Sequence, residues 1–262
     1  MTATSSADVL EAFRSKFDIH QKTILEVGGI VDENLINDIE IDWTSVDPLY
    51  TPLKKYELVS LDKPLVSIKH IKEDITKSLF EKEVFDYIFS CNAFHHISDL
   101  EKAFKNFYKW LKPGGVLYSH FGPIWTAPDG SHIEGLEHEE IIYNFWDNKL
   151  IPFWSHLHLS YEEMHKFLLQ HYTPEFAKKI ADAVYKSKWI NRLKFSNYLE
   201  LVENKHWEVI EISSDKNIDY NPISYMYSVD SKYENDLLKS ISLNTNENFH
   251  ARDILMIIKK VG

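Results

Sequence analysis

The sequence holds a single cysteine, Cys91, in 262 residues. No internal disulfide is possible, which fits a reducing compartment. Cys91 itself reads as a small buried residue rather than a nucleophile, since no charge arrangement that would lower its pKa is visible. No run approaches the ~20 apolar residues of a membrane-crossing helix. The opening MTATSSADVLEAF lacks the basic start and long apolar core of a signal peptide. The expectation is a soluble cytoplasmic protein with no membrane partner. Basic residues never group beyond a lysine pair, and 29 Lys and Arg stand against 40 Asp and Glu, for a net charge of −11. That balance excludes a phosphate-tracking nucleic-acid surface. There is no internal repeat and no low-complexity stretch. No HExxH or comparable tight ligand pair occurs, so no metal site is expected.

What is present begins at Lys22–Val31, KTILEVGGIV. Thr23–Val27 alternates and concentrates β-formers, then breaks at Gly28-Gly29, as a buried strand ending in a tight turn does. A short helix is expected over Asp32–Ile39 and a second strand over Trp43–Asp47. A strand, a glycine turn and a second strand closed by a carboxylate form the first half of a nucleotide-binding α/β unit. There the glycines admit a cofactor to the backbone and the acid takes ribose hydroxyls. Asp47 also suits a plain turn before Pro48.

Around this core a helix is expected over Ala7–Phe17, with Ser5, Ser6 and Asp8 as candidate caps, and a third strand over Leu65–Ile71. Val84–Cys91 is apolar enough to be buried on both faces. Leu100–Leu111 carries a helical apolar stripe, ended by Lys112-Pro113-Gly114-Gly115 before a strand from Val116 to His120. After Phe121 the texture changes. Helices are expected over Glu137–Asn148, over Tyr161–His171 behind a Ser160/Glu163 capping box, from Pro174 to about Lys186 behind Thr173, and over Asn191–Asn204. Trp207–Ile212 and Arg252–Lys260 complete the strands. The division that follows is a core of residues 1–121 and 196–262 and a mainly helical cover of residues 122–195.

The order ILEVGG, acid-ended strand, EDI, FDYIFSCNAFHHI and WLKPGGVLYSHFGP resembles that of class I S-adenosylmethionine-dependent methyltransferases over Lys22–Pro123, and in outline over Asn191–Lys260. The resemblance implies an α/β fold with a Rossmann-like, mostly parallel, seven-stranded sheet flanked by helices and a helical lid. It implies S-adenosyl-L-methionine as cofactor and a small-molecule acceptor. A hydroxyl of a sugar or natural product comes first, and a small amine or amide second. By the same resemblance Glu26 bonds the cofactor's amino group, Gly28 and Gly29 pass its backbone, and Asp47 takes the ribose. Asp74 with Ile75 meets the adenine, and Asn92 and Ala93 lie along the cofactor. The family pattern acid-x-Gly-x-Gly-x-Gly is met at Glu26 and Gly28, but Ile30 and Asp32 occupy the other two glycine places and Gly29 is off register. This departure bears on how the methionine end is held, and it leaves a non-catalytic, methyltransferase-like binding protein as an alternative. It counts against an oxidoreductase with a dinucleotide, whose pyrophosphate needs that backbone approach.

A hydroxyl acceptor needs a base, and histidine suits neutral pH. The candidates are His132, after the turn Pro128-Asp129-Gly130-Ser131, then His156 in the aromatic stretch IPFWSHLHL, then His95 of the histidine pair. For each the plain alternative is packing or hydrogen bonding in place.

Overall fold

The computed structural model describes residues 5–49, 66–215, 224–225 and 231–262. Leu65 and Pro52 of the expected third strand and loop lie outside them. The chain divides into two units. The first comprises Thr4–Phe121, Glu200–Ser213 and Ile254–Gly262; the second takes Gly122–Leu199 and Ser214–Asp253.

The first unit carries a seven-stranded sheet in the order β3-β2-β1-β4-β5-β11-β9. Its members are β1 (Lys22–Val27), β2 (Ile41–Val46), β3 (Val66–Ile71), β4 (Phe85–Cys91), β5 (Leu111–Phe121), β9 (Trp207–Asp215) and β11 (Asp253–Lys260). β1 to β5 pair in parallel, and β11 runs antiparallel to β5. This is the Rossmann-like sheet the resemblance implied. Strand order reverses between β1 and β4, and ligands of open α/β sheets bind beyond the carboxyl ends at such a point.

Side-chain alternation explains why both faces are buried. The cross-strand rows Ile24–Tyr87–Val116 and Glu26–Phe89–Tyr118 share one face. Helix α1 (Ser6–Lys16) packs Val9, Leu10 and Phe13 with Ile24, Phe89 and Tyr118 there. The intervening row Leu25–Ile88–Leu117 is also fully buried. Ser5 caps α1, accepting from the Asp8 amide at 3.1 Å. Helix α2 (Leu100–Trp110) turns Ala103, Phe104, Phe107 and Trp110 inward; Phe107 stacks on Phe94 at 5.8 Å, and Phe104 meets Trp207 edge-on.

The second unit carries β6 (Leu136–His138), β7 (Ile141–Tyr143), β8 (Asn148–Lys149), α3 (Ser155–His158), α4 (Tyr161–Leu168), α5 (Pro174–Lys186), α6 (Phe195–Glu200), β10 (Ser224–Tyr225) and α7 (Ser231–Ser242). The Ser160/Glu163 capping box and the Thr173 cap form as expected. Met164 and Leu168 of α4 pack with Phe176, Ile180 and Val184 of α5 in one cluster.

Three expected helices are corrected. Glu137–Asn148 contains the β6–β7 hairpin, with Leu136 opposite Tyr143. Tyr143 and His138 both pack on Phe176, at 5.0 and 4.2 Å, and this tertiary contact overrides the helix propensity of the glutamates. Asp32–Ile39 contains only a 3-10 turn at Glu33–Leu35, capped by the Asp32 carboxylate. Of Asn191–Asn204 only α6 is helical; Arg192, at φ 57°, lies outside the right-handed helical region. Among the described residues no helix is long and apolar enough to cross a membrane.

Candidate active site

In the first unit, strand register brings Val27, Val46, Ile71 and Cys91 to the carboxyl ends of four neighbouring strands. The loops that follow are tied together. The Gly28 amide donates to Val46 O at 2.9 Å, the Asp47 amide to Ile71 O at 3.1 Å, and the Asn92 amide to His120 O at 2.8 Å. Ser90 Oγ donates to Val27 O at 2.9 Å. Gly28 has φ +71°, and a Cβ there would fall 2.2 Å from Ala93 Cβ. The turns after β1 and β4 therefore touch, and only glycine permits it.

Glu26 is buried, and one of its oxygens has a structural role absent from the sequence reading. Oε2 accepts from Val31 N (2.9 Å), Trp43 Nε1 (2.8 Å) and Ser45 Oγ (2.5 Å), clamping the glycine turn to β2. The signal was present in Trp43 and Ser45, which share a strand face. Oε1 takes none of these donors and lies against Gly29, where a Cβ would stand 2.8 Å away. Burial raises the carboxyl's pKa against the opposing pull of Ser45, Trp43 and Val31.

Asp47 Oδ1 accepts from the Leu49 amide at 2.6 Å, an Asx-type turn, and the side chain remains half-buried. Asp74 Oδ1 accepts from the Thr76 amide and hydroxyl at 2.9 and 2.8 Å. Burial opposes its ionisation, but the Thr76 bonds and Lys77 outweigh it, so its pKa lies below the ordinary carboxylate value. Ile75 and Ala93 are buried. Asn92 adopts φ +53° at the β4 turn. His95 is buried in a 3-10 turn, its ring 4.0 Å from that of His96.

The second unit holds the other two histidines. His132, buried at φ +49°, places Nε2 3.3 Å from Glu134 Oε2, and its ring 4.5 Å from that of Phe145. Glu134 Oε2 also accepts from Trp189 Nε1 at 2.8 Å. His156 Nε2 lies 2.8 Å from Trp125 O, and a carbonyl only accepts, so Nε2 carries the hydrogen. Burial pushes the His156 pKa down to about 4. His156 is thus a neutral tie between α3 and Trp125 at neutral pH.

Residues 29–119 match the profile of a methyltransferase domain family. The match covers about a third of the chain, and the seven-stranded sheet has the fold of such domains. The methyltransferase fold extends further. An S-adenosylmethionine-dependent methyltransferase from Mesorhizobium loti superposes with a TM-score of 0.52 at 14% identity, covering 97% of this chain and 98% of that one. Phosphoethanolamine N-methyltransferase 3 of Arabidopsis thaliana is 28% identical over 134 residues, 48% of this chain and 27% of the relative. Sterol 24-C-methyltransferase of Clavispora lusitaniae is 35% identical over 100 residues, 38% of this chain and 24% of the relative. The chain thus matches about a quarter of the length of these curated relatives.

At the strand ends Ala93 packs against Gly28 and the Glu26 carboxylate against Gly29, so the glycines let the turn fold tightly around both side chains. Glu26 Oε1 is outside the structural clamp, and Asp47 Oδ2 is outside the turn hydrogen bond.

Proposed function

We propose that the chain is an S-adenosylmethionine-dependent methyltransferase acting on a small molecule, with a hydroxyl as the methylated group. The observation that carries the reading is the sheet edge, where acid and glycine turn meet at the reversal of strand order. When bound, the cofactor supplies a methyl group activated on a sulfonium. Glu26 Oε1 accepts from its amino group, Gly28 and Gly29 allow close approach, Asp47 accepts from the ribose, and Asp74 with Ile75 holds the adenine beside Asn92 and Ala93. His132 is the first candidate to take the hydroxyl proton, and Glu134, 3.3 Å from its Nε2, would stabilise the imidazolium. His156 and His95 are the other candidates, and His156 is the weaker base because burial holds its pKa at about 4 and Trp125 O takes its Nε2 hydrogen.

A specific finding favours a second reading. The phosphoethanolamine N-methyltransferase relative methylates nitrogen by its name. An amine delivered as its free base would need no histidine. Single-turnover methyl transfer by His132→Ala separates the two. Loss of a base lowers the chemical rate ~10²–10⁴-fold with cofactor affinity intact. Near wild-type rates in His132→Ala, His156→Ala and His95→Ala alike would point to nitrogen. Cofactor binding without turnover across broad acceptors would instead support a non-catalytic binding protein.

A further inference from the structure

The second unit contains a small pocket remote in sequence from the acids and glycines of the sheet edge. Asp129, Ser131, Phe145, Lys149, Ile151 and Phe153 are among its lining residues, and it has room for a group about the size of one water.

Charged side chains pair around it. Asp129 Oδ2 accepts from Arg252 Nε and Nη2 at 3.1 and 3.0 Å. Arg252 Nη1 donates to Asp253 Oδ2 at 2.7 Å. Lys149 Nζ stands 2.5 Å from Glu234 Oε1. Among the described residues of this cluster three carboxylates, Asp129, Asp253 and Glu234, face two cations, Arg252 and Lys149. Asp129 Oδ1 is buried and has no hydrogen-bond partner among the described residues. A carboxylate oxygen out of water without a donor is costly. The side walls already accommodate an ammonium: Lys149 Nζ lies 3.1 Å from the centre of the Phe153 ring.

We propose that this pocket binds the –NH3⁺ head group of a small primary amine. An N–H of the ligand is donated to Asp129 Oδ1, its charge meets that of the carboxylate, and its carbon chain runs along Phe145 and Ile151. An –NH3⁺ group is close to water in size. A quaternary ammonium is too large and has no N–H to give. A hydroxyl could supply the hydrogen bond but not the charge. The assignment does not depend on methyl transfer.

The test uses the whole chain with 13C-labelled isoleucine methyls, because Ile133 and Ile151 both line the pocket. Propylammonium, propanol and tetramethylammonium are titrated at matched chloride. Propylammonium is expected to shift both methyls saturably in the millimolar range. Propanol should act roughly tenfold more weakly, and tetramethylammonium not at all. Asp129→Asn should abolish the propylammonium response. Equal responses to propanol and propylammonium, or no response to either, would overturn the proposal, as would an unchanged response in Asp129→Asn. If Asp129→Asn loses methyl dispersion through its bond to Arg252, Phe145→Ala decides. That half-buried wall residue leaves the Asp129–Arg252 pair in place. A several-fold weaker propylammonium response supports the assignment, and an unchanged one refutes it.

Discussion

Glu26 gives its two oxygens different surroundings. Its Oε2 holds Val31, Trp43 and Ser45, while Oε1 faces Gly29. Burial raises its pKa above the ordinary 4.5. A group with a raised folded pKa binds protons more readily when folded, so its contribution is present below the unfolded value and is lost as pH rises through the folded one. Urea midpoints of the wild type should therefore fall, relative to Glu26→Gln, as pH climbs above 4.5. Parallel curves would mean that Glu26 does not titrate in that range. His156 works in the opposite direction. Its pKa falls from 6.5 to about 4 on burial, so the unfolded chain binds the proton first, and stability is lost as pH drops from 6.5 toward 4. The shift corresponds to about 3 kcal/mol. His156→Gln should flatten the acid limb of the urea curve by a large part of that amount. An acid limb as steep as that of the wild type would assign the loss to other groups. The strand-end acids were legible because a carboxylate after a buried strand is a local pattern. The use of Glu26 as a clamp was less so, because it needs the register of β2 beside β1.

At the scale of the element, local signals served and non-local ones did not. The caps of α1, α4 and α5 lie within four residues of what they cap, and each forms where the sequence placed it. The β6–β7 hairpin was invisible because its stability comes from Phe176, more than thirty residues on, and because its turn lacks a hairpin dipeptide. Glu139 and Glu140 form that turn at φ 48° and 65°. Two positive φ values are what a two-residue primed turn requires, and Asn-Gly supplies them with least strain. The double substitution Glu139→Asn and Glu140→Gly should raise stability by about 1 kcal/mol, since the left-handed region costs a side chain roughly 1–2 kcal/mol. Thermal melting measures it. A lowered midpoint would show that the glutamates contribute more through contacts such as Glu139 with His138 than they cost in strain.

At the scale of the molecule, strand and helix alternation made one interrupted sheet legible and the resemblance implied its seven mostly parallel strands, while their order became visible only in the structure. The pairing of Asp129 with Arg252 was not legible, because 123 positions separate them and neither neighbourhood announces the other. The cofactor prediction belongs here, since it draws on four strand ends at once. S-adenosylhomocysteine should bind one site per chain by calorimetry. Asp47→Ala should weaken it by roughly 1.5–3 kcal/mol for each charged hydrogen bond lost. Equal affinity would remove Asp47 from the site. The antiparallel pairing of β5 with β11 has a further consequence, for synthesis. Phe121 waits for Ile254, about 130 residues later in the chain. A ribosome adds roughly 5–20 residues per second, so the apolar margin of β5 stands without its neighbour for something like 7–26 seconds. Over that interval Leu117 and Phe121 lie on an open strand edge, the kind of surface that recruits other nascent chains. Output of folded protein should therefore be sensitive to holdase chaperones and to slow codons placed between the two strands.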